Sequence, residues 1–240
     1  MTRFTFGAIS CWVAILVSFS PALALERARE FVLDPSIESP WIGSETCEVR
    51  YFNICTGWVW YWAAQDGDRS GTVFETCHPG CEVVTARAYF IDRGQTGRGY
   101  TALLGLYAVD ENDCPQEPPL ASVAYIQIEG WQMFQFGGVP TPSRFALMAT
   151  HASPIYWDNA IGFVSDHPGA GPTGPVACGT CYPADRVTHS YDWGNRSTPV
   201  CPGELIESPV CPAEFLLDVQ LSCTSAVSEN SWSRVRSMFR

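Results

Sequence analysis

The chain has 240 residues with 25 acidic and 14 basic side chains, a formal net charge of -11 at pH 7, and every basic residue is arginine. Hydrophobic residues make up 46% and charged residues 16%, which excludes a disordered chain and leaves enough apolar material for the core of one large domain. An acidic body without a basic cluster excludes a nucleic-acid partner, because phosphate binding needs concentrated positive charge.

Residues 1–24 read MTRFTFGAISCWVAILVSFSPALA. Arg3 supplies a positive start and Phe6 to Phe19 a short apolar run. Ala22-Leu23-Ala24 is the small-x-small pattern that a signal peptidase cuts, so 1–24 is expected to be a signal peptide. The run falls short of the roughly 20 residues a bilayer span needs, and no later run approaches that length. The mature chain is therefore expected to lack a transmembrane span and to be secreted or associated with the cell surface. Cleavage removes Cys11 and leaves Cys47, Cys55, Cys77, Cys81, Cys114, Cys178, Cys181, Cys201, Cys211 and Cys223. An even number of cysteines in an exported chain predicts disulfides.

Residues 25–46, with Pro35 and Pro40, read as an extended lead-in, within which Glu26–Val32 can make a helical turn. From residue 47 the signal is short apolar-alternating runs separated by Gly, Pro, Asn and Asp. Strands are expected at 57–62, 71–76, 82–92, 100–109, 120–129, 132–136, 144–149, 160–165, 187–192 and 213–222. Val84, Ala86, Ala88 and Phe90 fall on one face of their run, with Thr85, Arg87 and Tyr89 on the other. Leu104, Leu106 and Ala108 share a face, and Ala124, Ile126 and Ile128 lie opposite Val123, Tyr125 and Gln127. This period of two, with almost no helical period, predicts an all-β fold: a single disulfide-stapled, jelly-roll-like β-sandwich over 47–225. Long loops rich in Gly, Pro and Cys fill 166–186 and 193–212. Residues 226–240 form a basic tail, in which Arg234, Arg236 and Arg240 stand against the single acid Glu229, after a body that holds the other 24 acids. Such a charge asymmetry suits a docked helix or an attachment signal equally.

The spacings Cys77-His-Pro-Gly-Cys81 and Cys178-Gly-Thr-Cys181 also fit zinc knuckles, with His78 and His189 as further nitrogen donors, so a zinc-binding module is an alternative. An oxidising compartment favours disulfides over zinc thiolates. Proximity along the chain suggests the local pairs Cys47–Cys55, Cys178–Cys181 and Cys201–Cys211, although spacing alone does not determine connectivity.

Candidate binding residues are aromatic. Trp58, Trp60 and Trp62 project from one face of a strand, as a stacking platform for sugar rings requires. Val59 and Tyr61 make the opposite face equally apolar, which favours packing of this strand into the core. Trp131, Trp157 and Trp193 flank loops and are candidates to cap a site. No cofactor is expected, but Asp66, Asp68, Asp110, Asn112 and Asp113 place oxygen atoms on turns and leave calcium open, although Asp also serves ordinary turns. No Gly-x-Ser-x-Gly, His-Glu-x-x-His or phosphate loop occurs. A hydrolase could pair one of His78, His151, His167 and His189 with Ser153, Asp166 or Asp185, or combine Glu129, Asp158 and Asp192 as carboxylate pairs.

The strand succession from Glu82 to Ser165, Trp131 before a short strand, and the Cys-rich close at Cys223 resemble secreted bacterial jelly-roll modules, among them carbohydrate-binding modules. The final Ser-Trp-x-basic-aliphatic-basic-x-x-aromatic-basic run resembles the short sorting tails of exported bacterial proteins. The resemblance implies a non-catalytic extracellular or cell-surface binding or assembly module, with a glycan or another surface protein as partner. The alternatives are a secreted polysaccharide-acting hydrolase and a structural envelope subunit.

Overall fold

The computed structural model describes residues 27–32, 46–54, 56–62, 67–91, 101–126, 128–151, 162–167, 185–194, 199–208 and 211–223. Its strands are β1 (Arg27–Val32), β2 (Thr46–Arg50), β3 (Trp58–Trp62), β4 (Arg69–Glu75), β5 (Cys81–Ile91), β6 (Thr101–Ala108), β7 (Ala121–Ile126) and β8 (Gly130–Pro140). They continue with β9 (Arg144–Thr150), β10 (Gly162–Asp166), β11 (Ser190–Asp192), β12 (Glu204–Leu205), β13 (Glu207–Ser208), β14 (Cys211–Pro212) and β15 (Leu217–Cys223). One sheet runs β1-β3-β10-β5-β15-β2, with β8 on the other side of β5, and the second runs β12-β11-β4-β9-β6-β7. Every pairing is antiparallel, and the chain crosses repeatedly between sheets from β3 to β11, which makes a disulfide-stapled, jelly-roll-like sandwich. No helix occurs among the described residues.

Two local expectations are corrected. The segment Arg27–Val32 is not a helical turn in a lead-in but an edge strand paired with β3, from Arg27 opposite Trp62 to Val32 opposite Trp58. The exposed edge of β3 offers unpaired N–H and C=O groups, and satisfying them outweighs a weak local helical preference. In β5 the pairing slips beside Val84 against both β8 and β15, so Val83 rather than Val84 joins Ala86, Ala88 and Phe90 in the core. An inserted residue reverses the alternation on one side of itself.

The inter-sheet core holds Phe74, Phe90, Phe145, Phe163 and Phe215 with Leu104, Leu106, Leu147, Leu217, Val219 and Leu221. Smaller clusters cover parts of both outer faces: Phe52, Val59, Tyr61, Ile91, Val164 and Leu216 on the first sheet, and Val73, Tyr107, Ala146, Met148 and Trp193 on the second. Strands β9 and β10 are thereby buried on both faces, which explains their nearly continuous apolar sequence. Close approach matters at Gly162, where a Cβ would run into the carbonyl of Trp62.

The disulfides are long-range. Cys47 is bonded to Cys77, Cys81 to Cys223 and Cys114 to Cys201, with sequence separations of 30, 142 and 87. The expected local pairs Cys47–Cys55 and Cys201–Cys211 are therefore wrong; Cys211 is disulfide-bonded elsewhere, and Cys178 and Cys181 lie outside the described residues. The sheet register overrides chain proximity: Cys81 and Cys223 are direct cross-strand partners with Cα atoms 4.1 Å apart. The zinc knuckle at Cys77 and Cys81 is excluded with them, because both thiols are consumed in bonds to different strands. Loops of these lengths each remove about 3.5–5 kcal/mol of unfolded-chain entropy in the polymer description.

At the end of β10, fully buried Asp166 accepts from Arg186 Nη1 (2.8 Å) and Nη2 (2.6 Å), from the amide of Asn53 (2.9 Å) and from the amide of Glu214 (2.9 Å). Burial is the largest influence and pushes the Asp166 carboxyl above the ordinary range, with these donors opposing it. Arg186 also donates to the Pro212 carbonyl. Arg186→Met strands the buried charge and is expected to cost about 3–5 kcal/mol, while Arg186→Met with Asp166→Asn should recover part of that loss. Urea unfolding of the two variants beside the parent checks this.

His151, just beyond β9, is 2% exposed, donates its amide to the Asp68 carbonyl and sets its ring edge-on to Phe163 at 5.1 Å. Burial lowers its imidazole from 6.5 to about 4. The unfolded chain thus holds this proton more tightly. The contribution is complete above pH 6.5 and is lost as pH falls toward 4, about 3 kcal/mol in all. Asp166, Asp192 and Asp218 act oppositely, because burial raises all three carboxyls above 3.8 and acidification favours their folded forms. The difference between the parent and His151→Gln isolates the imidazole: the acid loss between pH 6.5 and 4 should shrink in the variant, as read from unfolding free energies across that range.

Candidate ligand-binding face

The outward residues of four neighbouring strands line up across the first sheet, because β-strand side chains alternate with a period of two. Register places Arg50, Asp218, Arg87 and Met133 in one row, and Glu48, Gln220, Thr85 and Gln135 in the next. Arg87 donates from Nε to Asp218 Oδ1 at 2.9 Å and from Nη2 to Oδ2 at 2.5 Å, and Glu48 lies 3.7 Å from Nη2. Burial is the larger effect on Asp218 and raises its carboxyl despite the Arg87 bonds. The Thr85 hydroxyl donates to Gln220 Oε1 at 2.9 Å.

Trp131 closes one side of this ladder. It sits opposite Tyr89, with rings 5.4 Å apart and edge-on, and beside Phe52 at 5.8 Å. The Arg87 guanidinium lies 5.2 Å from the indole centroid, and that of Arg50 lies 5.7 Å from Phe52. Arg87 therefore fixes Asp218 and the indole together, while Glu48, Arg50, Gln135 and Met133 (56% exposed) reach solvent. An aromatic ring beside guanidinium, carboxylate and amide groups can hold a ring that is apolar on its face and hydroxylated at its edge.

The other predicted indoles fall elsewhere. Trp62 packs against the inter-sheet core and donates its indole N–H to Ser165 Oγ at 2.7 Å. Trp60 stacks on buried His167 at 4.9 Å. Val59 and Tyr61 point the other way, into the outer cluster, so Trp60 and Trp62 do not form an outer platform. Trp193, expected near loops and accessible, is 0% exposed: it lies on Met148 and Tyr107, stacks on Tyr191, and a Cβ on Gly203 would strike its ring. The Trp58 side chain and Trp157 lie outside the described residues. Trp131 was expected before a short strand and instead stands within the 11-residue β8.

The turn after β6 gathers Asp110, Asn112 and Asp113, but their oxygens serve the turn. Asp110 Oδ1 accepts from the amides of Asn112 (2.8 Å) and Cys114 (3.1 Å), and Asp113 accepts from the Tyr191 hydroxyl at 2.9 Å and pairs with Arg144. Asp68 lies apart beside His151, and Asp66 is outside the described residues. Among the described residues no group of three His, Cys, Asp or Glu side chains could hold a metal.

One polar centre escapes the sequence reading. Glu214 Oε1 accepts from the His189 amide (2.8 Å) and meets its Nδ1 (2.9 Å), while Oε2 accepts from the Ser190 hydroxyl (2.6 Å). The His189 ring stacks on Tyr51 at 3.9 Å, and its side chain is 35% exposed above a carboxylate that is 1% exposed. Asp166, considered as a histidine partner, belongs to Arg186 instead. Glu214 was hidden because residues 213–222 read as one strand, whereas β15 begins at Leu217 and leaves Glu214 on a connecting segment.

Neither a protein-family model nor a curated protein sequence matches this chain. Among solved structures the fold is similar to one described as "the cysteine protease and lectin-like domains of Cwp84, a surface layer associated protein of Clostridium difficile", at a TM-score of 0.52 and 12% identity. The match covers 76% of this chain and 37% of that one, and at this identity it bears on the fold alone.

Proposed function

We propose that this protein is a non-catalytic, surface-associated extracellular binding module whose ligand is a glycan, held on the outer face of the first sheet beside Trp131. The observation that carries this reading is the row Met133–Arg87–Asp218–Arg50 in register across four strands, with Arg87 over the indole. Sugar recognition asks for this pairing of an aromatic face with fixed, charge-assisted hydrogen-bonding groups. Long-range disulfides support an oxidising location, and the similar solved structure carries a lectin-like domain in a surface-layer-associated protein. Calcium has no part in this reading, because Asp110 and Asp113 already serve their turn, Arg144 and Tyr191.

Affinity electrophoresis through a panel of polysaccharides, with a parallel assay for reducing ends, tests the proposal. Retardation without reducing ends is expected, weakened about tenfold or more by Trp131→Ala. Since Trp131 also packs on Tyr89 and Phe52, the exposed pair Arg50→Ala with Met133→Glu provides a second variant that leaves the aromatic cluster in place. No retardation by any polysaccharide, or retardation unchanged in both variants, would remove the reading. The His189–Glu214 pair favours a second reading, a secreted hydrolase; reducing ends released by the parent and abolished in His189→Gln would select it.

A further inference from the structure

The ladder beside Trp131 is short of acceptors. The described arginine side chains are those of Arg50, Arg69, Arg87, Arg144 and Arg186. Arg69 pairs with Glu117, Arg87 with Asp218 and Glu48, Arg144 with Glu75 and Asp113, and Arg186 with Asp166. Among these described arginines Arg50 alone has no carboxylate partner, in a chain with 25 acids and 14 arginines. Asp218 stands opposite it in register, but both Asp218 oxygens accept from Arg87. Glu48, on the same face of β2, lies against Arg87 as well. Glu82 sits at the far end of β5, where a Cβ on Gly138 would meet its carboxylate.

The Arg50 guanidinium is nonetheless held. It lies 5.7 Å from the centroid of buried Phe52, and Phe52 meets Trp131 at 5.8 Å, so one buried ring joins the cation to the indole. The neighbouring amide offers donors too. The Thr85 hydroxyl occupies Gln220 Oε1, and no described group accepts from Gln220 Nε2. Donors therefore exceed acceptors where β2 meets β15. A guanidinium presents its N–H groups as a planar fork that matches the two oxygens of a carboxylate. The net charge of -11 opposes a polyanion at long range. At about 0.15 M ionic strength, however, screening acts over about 8 Å. The carboxylates nearest the fork then decide, and Arg87 already engages both.

We infer that the ligand of this face is an acidic glycan, with a uronate carboxylate paired to the Arg50 fork and a neighbouring sugar ring against Trp131. The Gln220 amide donates beside that carboxylate. Arg50 is the residue that sets this specificity. The inference rests on the glycan reading and names the class of glycan within it.

Affinity electrophoresis at about 0.15 M ionic strength tests it. Alginate, polygalacturonate and hyaluronate are each set beside the same polymer after its carboxyls have been reduced to primary alcohols. Tighter binding of the acid form of at least one, by about tenfold in dissociation constant, is expected. Arg50→Gln should bring the acid and reduced forms level. Arg50→Lys, which keeps the charge without the fork, should recover only part of the preference. Leu205→Glu shifts the net charge by the same unit at an exposed position (45%) on the second sheet, and should leave the preference intact. Equal retardation by both forms, a preference for dextran sulfate over every polyuronate, or a preference that survives Arg50→Gln would overturn the inference and leave the glycan reading standing. So would a preference lost equally in Leu205→Glu. Retardation by none of these polymers would overturn it too, and the neutral polysaccharides of the wider panel then decide whether the glycan reading falls with it.

Discussion

The buried carboxylate of Asp166 is the constraint on which the irregular third of the molecule depends. A charge with no solvent exposure must be met by donors, and here they come from three separate stretches of chain: Asn53 before β3, Arg186 before β11, and Glu214 before β15. Glu214, placed by that amide, holds His189 and Ser190, and Ser190 in turn meets Thr72 of β4 and the amide of Phe215. A continuous polar path thus runs from the first sheet at β10 to the second at β4. It joins the two layers at an edge where apolar packing alone would leave segments with no ladder partner.

The regular part of the fold was legible because alternation is a local property. Each of the ten expected strands matches an observed one, since Gly and Pro interrupt the apolar runs where the chain turns. What was not legible depends on neighbours. Val83 and Val84 are chemically identical, so nothing in the sequence marks which of them faces the core once a bulge intervenes. Cysteine pairing follows register between strands 142 residues apart, and no spacing rule reports that. The edge strand β1 exists because β3 offers it a partner. At the candidate site, the tryptophans were visible as residues but not their directions. Trp193 stood among loop-like residues and is the most enclosed of the described indoles, whereas Trp131 owes its place to Arg87 and Tyr89 on the adjoining strand.

The two outer faces carry opposite chemistry on one scaffold. The first sheet presents paired charges and amides around an indole, groups already desolvated in part and held by one another, so a polar ligand docking there would cost them little further ordering. The second presents tyrosine and tryptophan at one end and bare aliphatic side chains at the other.

Cys47 is bonded to Cys77 and Cys81 to Cys223, and only His78, Pro79 and Gly80 separate the inner two cysteines. Tension applied between the segment before Cys47 and the segment after Cys223 therefore has a covalent route five residues long, from Cys77 to Cys81. That route touches β2, β5 and β15 only at Cys47, Cys81 and Cys223, and β3, β4 and β6 through β14 lie outside it, while β1, before Cys47, feels the load directly. Under such tension the sandwich would stay closed at forces that unzip a strand pair held by hydrogen bonds alone, because the two disulfides, and not the β2–β15 hydrogen bonds, limit the extension.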